Sequence, residues 1–254
     1  MRKPIMTIAA VAMFAVPAAA MADTVGPTTF GSPFTVGDGN TNINGNDGWM
    51  ATGAYDEGIV ADGINGPSLR MSNAITSGSF SDWVFSKPTQ SPAGESVANH
   101  VYKGEFKFKS ATGAAQPGLQ ISVSPDNGQG ARMSFVRLMD MGDGIHVMFN
   151  EMRPNSSEFS GVQDIAKVDY PAAHTLRFEL KMLPGRNNDQ VAVYVDGVKK
   201  VVGKSWENYY RDSELHEPGV VDRMIFQART SGGDAPTLGH GYLIDNVSSS
   251  TSVS

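Results

Sequence analysis

The chain contains no cysteine among its 254 residues. Disulfides, thiolate metal sites and a cysteine nucleophile are therefore excluded. Beyond the first two dozen residues, no run is long and apolar enough to span a bilayer, which takes about 20 apolar residues. Basic residues are also in the minority: 20 Lys and Arg stand against 26 Asp and Glu, for a formal charge of −6. Neither a nucleic acid nor an anionic membrane surface is steered towards a net acidic protein, so neither is the expected partner. A sustained helical period is missing as well. With 28 glycines and 14 prolines, turns are frequent and helices few.

Residues 1–22, MRKPIMTIAAVAMFAVPAAAMA, have the form of an export signal. Arg2 and Lys3 precede a short apolar stretch, and Ala20 and Ala22 stand in A-x-A spacing. Cleavage after Ala22 gives a secreted or periplasmic protein, and loss of Arg2 and Lys3 moves the formal charge to −8. The rest, 23–254, is within the size of one β-sandwich domain and large enough for a core without staples. A monomer is expected.

The segment HTLRFELKMLPGRNNDQVAVYVDGVKKVVG, 174–203, carries the fold class. Leu176, Phe178 and Leu180 alternate with Arg177, Glu179 and Lys181, and Val191, Val193 and Val195 alternate with Ala192 and Tyr194, the two-residue period of half-buried strands. Asp196-Gly197 then fits a type I′ turn, so Val198–Val202 folds back antiparallel. Similar alternation runs through 100–110, 119–124, 132–139, 144–152, 223–230 and 241–247, with shorter strands expected at 29–36, 49–52, 58–60 and 68–72. Residues 23–28 read as a flexible lead-in, 153–164 as a loop and 206–212 as the one short helix. No sorting signal is evident in the Ser/Thr-rich end. About a dozen strands separated by turn signals predict an all-β, two-sheet antiparallel sandwich.

The segments GWMATGAYDEGIV (48–60), LRMSNAITSGSFSD (69–82), VAVYVDGV (191–198), SWENYYR (205–211) and GYLIDNV (241–247) resemble secreted bacterial domains of the concanavalin A-like lectin/glucanase superfamily. The resemblance covers nearly all of 23–254. It implies a jelly roll of two curved sheets, the concave one often holding sugars, in a group that includes polysaccharide binders, polysaccharide-degrading enzymes and proteins with no assigned role. Fold alone does not give function.

The E-x-D-x-x-E type run of that superfamily's glycosidases, which sets two carboxylates beside the scissile bond, is absent. Glu105, Glu151, Glu179 and Glu207 each stand alone. A lyase needs a cation or amide against a uronate carboxylate, and an acid and base beside it. Arg70, Arg132, His146, Asn150 and Gln227 are the candidates if their strand faces converge, with Arg132 and Ser134 sharing one face and His146, Met148 and Asn150 another. The superfamily's R-x-E-x-R and Q-I-H lyase strings are missing. Trp83 and Trp206 are the candidate stacking platforms for a sugar ring. The remaining histidines lack the i, i+2 or i, i+4 spacing of a zinc site.

For calcium, an EF-hand reading of 40–51 fails, because Asn40 and Ala51 replace its first and last carboxylates. In calcium-binding jelly rolls a late-strand Asp meets the N-terminal loop. The resemblance therefore suggests Asp245 with Asp38 as a structural calcium site. The reading is a lectin-like module that binds a polysaccharide or other glycan on the concave sheet, leaning away from catalysis. The first rival is a polysaccharide lyase with His146 as base and Tyr194 or Tyr242 as acid. The second is a surface or matrix structural protein without a sugar ligand.

Overall fold

A computed structural model describes residues 23–53, 55–76, 83–89, 100–130, 133–153, 158–183, 187–209, 221–228 and 237–253. They form two antiparallel sheets packed face to face, the jelly-roll sandwich expected. The first sheet is built from β1 (Asp23–Thr28), β2 (Gly37–Asp38), β4 (Glu57–Val60), β5 (Ser68–Met71), β7 (His100–Ser110), β12 (His174–Met182), β13 (Gln190–Val195), β14 (Val198–Lys204) and β16 (Tyr242–Val253). Its order is β14-β13-β12-β7-β16-β5-β4-β2, with β1 also on β16. The second contains β3 (Met50–Ala51), β6 (Trp83–Phe85), β8 (Gln120–Asp126), β9 (Phe135–Asp140), β10 (Ile145–Met152), β11 (Phe159–Val168) and β15 (Arg223–Ala228), in the order β11-β10-β9-β8-β15-β6-β3.

Alternation decides which side of each strand enters the core. Phe106 and Phe108 on β7, Leu176, Phe178 and Leu180 on β12, and Val191 and Val193 on β13 are fully buried. From the facing sheet come Ile121, Val123, Val136, Leu138, Val147, Phe149 and Phe226. Phe106 meets Phe226 edge-on across the interface, ring centroids 5.2 Å apart, and Trp49 stacks on Phe226 at 6.3 Å. Each such side chain contributes about 1.5–3 kcal/mol by leaving water.

The Asp196-Gly197 turn forms as expected. Both residues have positive φ, 50° and 75°, as a type I′ turn requires, and Val195 faces Val198.

Three expectations are corrected. The first strand is Asp23–Thr28, paired with β16, while 29–36 is irregular. The expected loop at 153–164 contains the start of a ten-residue strand, β11. Of the expected helix, 207–209 make a helical turn, and 210–212 lie outside the described residues.

Candidate functional site on the outer face of the seven-stranded sheet

Side chains that point away from the core on the second sheet fall into rows fixed by register. Asp164 faces Met148, Met148 faces Arg137, Arg137 faces Ser122, Ser122 faces Gln227 and Gln227 faces Trp83. One unbroken row thus crosses six strands. At about 4.8 Å per strand spacing it runs about 24 Å. Rows on either side place His146 beside Met139, and Asn150 beside Phe135.

The middle of this face is polar and buried. Gln227 is 1% exposed, and Ser122 and Ser124 are 2% and 1% exposed, with neither hydroxyl finding a hydrogen-bond partner among the described residues. A buried hydroxyl without a partner costs about 1–3 kcal/mol, and this face holds two neighbouring ones, both covered from solvent. Arg137 is the cation at its centre, its guanidinium carbon 5.8 Å from the Phe135 ring centroid. Trp83 closes one end, half-buried, packed on Phe85 and against Gly130, where a side chain would collide with the indole.

Of the residues singled out from sequence, Trp83, His146, Asn150 and Gln227 share this face. Arg132 lies outside the described residues. Arg137, which the sequence reading passed over, occupies the central place instead. Its signal was present: Val136 and Leu138 flank it, and two apolar neighbours that face the core send the residue between them to the other side.

His146 does not have the form of a general base. Its Nδ1 lies 2.6 Å from Asp164 Oδ2 and its Nε2 2.9 Å from Asp143 Oδ1, and Lys167 holds Asp143 at 3.1 Å. Burial works against the charged ring, but the hydrogen bonds and charges of Asp164 and Asp143 outweigh it and raise the His146 pKa. Both nitrogens are engaged, so no lone pair is left to take a substrate proton. The two tyrosines considered as acids are elsewhere. Tyr194 lies on the outer face of the other sheet, and Tyr242 is fully buried in the core, where burial drives its pKa well up.

Trp206 is corrected from stacking platform to packing residue. It is 6% exposed, stacks on Phe135 at 5.3 Å, meets Phe159 at a tilt with ring centroids 4.5 Å apart, and offers no open ring face to a sugar.

Arg70 belongs to the other sheet and is 4% exposed. It pairs with buried Asp56 at 2.8 Å and with Asp38 at 3.0 Å, and donates to the His240 carbonyl. Burial pushes the Asp56 pKa up, but the bonds from Arg70 and Ser72 outweigh it and hold the carboxyl below its ordinary range. This is a structural clamp between turns.

Asp38 and Asp245 do not converge. Asp38 faces Gly58, Gly58 faces Arg70 and Arg70 faces Leu243, so three strand spacings, about 14 Å, separate Asp38 from β16. Asp245 nevertheless stands out. It is fully buried, and neither carboxylate oxygen has a hydrogen-bond partner among the described residues, although the Asn65 and Asn246 amides point towards it. Burial raises its pKa. No group of three or more His, Asp or Glu side chains among the described residues is arranged to hold a metal.

No protein family matches the chain, and no curated protein aligns with it. Among solved structures it is similar to an endo-β-1,4-glucuronan lyase from the fungus Trichoderma reesei, at 15% identity over 87% of this chain and 95% of that one, with a TM-score of 0.46. It is also similar to the carbohydrate-binding module CBM66 from Bacillus subtilis, at 16% identity over 85% and 98% of the two chains, with a TM-score of 0.37. A similar sialidase aligns at 14% identity over 80% of this chain, with a TM-score of 0.46, and this chain covers 17% of its length.

Proposed function

We propose that the protein binds a polysaccharide along the outer face of the seven-stranded sheet and does not cleave it. The observation that carries this reading is the six-strand row from Asp164 to Trp83, with Arg137, Ser122 and Gln227 in its middle. Trp83 supplies an aromatic edge at one end. The buried Ser122 and Ser124 hydroxyls have no partner among the described residues, and the hydroxyls of a sugar that uncovers them would supply one. A cation and an amide in the centre suit an acidic or hydroxyl-rich ring. Cleavage is set aside because the one histidine on this face is held between two carboxylates.

The experiment is incubation with a panel of plant, algal and bacterial polysaccharides, reading retention and ultraviolet absorbance together. Retention without rising absorbance is expected, and Arg137→Ala and Gln227→Ala each weaken it at least tenfold. Rising absorbance, the signature of an unsaturated product, makes the protein a lyase. Silence across the panel favours a structural surface protein.

A calcium ion is a second proposal, carried by Asp245. A buried carboxylate whose two oxygens have no hydrogen-bond partner among the described residues suits a hard cation. Its part would be structural. Residues 1–22 would direct export to the periplasm or beyond and be removed after Ala22; N-terminal sequencing of the exported protein checks this.

A further inference from the structure

The outer face of the nine-stranded sheet, on the opposite side of the sandwich, carries a different pattern. Lys103, Lys107 and Lys109 on β7 and Arg177 and Lys181 on β12 alternate with core residues and point outwards, and Lys199 on β14 joins them in register with outward Tyr194. Among the described residues of β7, β12, β13 and β14 two outward carboxylates accompany them, Glu105 and Glu179, each opposite a cation in register, and Asp245 of β16 lies opposite Lys107. None of the six cations closes an ion pair among the described residues. Across the strands Lys109 meets Leu243, Lys181 meets Val101 and Gln190, and Lys199 meets Tyr194. Lys107 meets Thr175 and Asp245, whose carboxyl is buried. In a chain of formal charge −6, these four neighbouring strands hold a local excess of positive charge.

The acidic remainder does not cancel that field. Charges further apart than about 8 Å are screened at physiological salt, and the two sheets alone stand about 10 Å apart. A ligand at this face meets the cations first.

We propose that this face binds an acidic polysaccharide, a carboxylated or sulfated glycan, independently of the seven-stranded sheet. An extended polyanion meets Lys107 and Lys109 about 6.8 Å apart along β7, and Lys103 about 7–8 Å on the diagonal from Arg177 and Lys181, which flank its partner Glu179. Ser248, Ser250 and Ser252 on β16 continue the rows with hydroxyls suited to a hydroxyl-bearing polymer. A lipid surface fits less well. Val202 is the one large apolar side chain exposed in these rows among the described residues, so nothing anchors in an acyl region. A single-stranded nucleic acid needs free aromatic platforms. Here Tyr194, the one aromatic in the rows among the described residues, is capped by the Arg177 guanidinium at 3.9 Å and the Lys199 ammonium at 5.5 Å.

The test is retention of the full chain on immobilised alginate at 150 mM salt, with neutral dextran as control. Retention on alginate and not on dextran is expected. The variant Lys103→Gln/Lys107→Gln/Lys109→Gln should lose at least tenfold in affinity while keeping its melting temperature. The slope of log affinity against log salt should shrink by about one per cation removed. Alginate binding that the three changes leave undiminished in an Arg137→Ala background, where the seven-stranded face is weakened, overturns the proposal. So does equal or tighter binding to phosphatidylglycerol vesicles or to DNA, or a salt-sensitive dimer in place of glycan binding, which would assign the face to a second copy.

Discussion

Trp206 donates its indole N–H to the carbonyl oxygen of Asn150 at 2.9 Å, and its own backbone N–H to the Met133 carbonyl at 2.9 Å. One residue thereby fastens the segment after β14 to β10 and to the approach to β9. Trp206→Ala should destabilise the fold by about 3–5 kcal/mol, the range for emptying a large aromatic site. Trp206→Phe keeps a ring against Phe135 and Phe159 and should lose much less. Thermal unfolding of the two variants checks this; equal losses would mean the indole hydrogen bond matters more than ring packing.

Arg70 and Asp56 form a buried pair. Arg70→Ala leaves a carboxylate in a site built for a cation and should cost about 3–5 kcal/mol. The double variant Arg70→Ala/Asp56→Ala should cost clearly less than the two single losses summed. Additive losses in denaturant titrations would show that the pair is not coupled.

His146 gives stability a pH dependence of known sign. Its folded pKa lies above the ordinary 6.5, so its contribution is complete below about pH 6.5 and is lost as pH rises through the folded value. Asp143, held below its usual range by His146 and Lys167, contributes above its unfolded value and loses that contribution in acid. Between these limits, His146→Gln should lower the melting temperature more at pH 5.5 than at pH 9. A deficit that is the same at both pH values would refute the clamp.

Millimolar calcium should raise the melting temperature of the wild type and leave Asp245→Asn unmoved. At a hundredfold excess over Kd the gain is about 2.7 kcal/mol. In EDTA, the raised Asp245 pKa means that stability falls as pH climbs through the folded value, and Asp245→Asn should remove that slope. A wild type indifferent to calcium would leave Asp245 as a buried acid only.

What the sequence made legible follows from exposure. Strands with one face in the core, such as β12 and β13, announce themselves by alternation, and so does their turn. β11 does not, because it is an edge strand with residues 160–164 all exposed, so neither face selects apolar side chains. The second half of β16, beyond the readable 241–247, hides for another reason: Ser249 and Thr251 are buried under 5% exposure with hydroxyls bonded to Tyr102 and Thr89, so inward positions there are small and polar. In the site, residue types were readable and sheet membership was not. Arg70 and Gln227 look alike as outward polar residues on short strands, and only the pairing of β5 with β16 and of β15 with β8 sends them to opposite sides.

The pairing of Thr24 with Ser250 joins residues more than two hundred positions apart. β16 lies between β7 and β5, so the nine-stranded sheet is two fragments until residues near 250 arrive. Contacts separated by more than two hundred residues give the topology a high contact order, and loop-closure entropy must be met before those contacts stabilise anything. A ribosome or a translocation pore that still holds residues 242–253 therefore holds an unfinished sheet, and the chain stays threadable until its last strand is free.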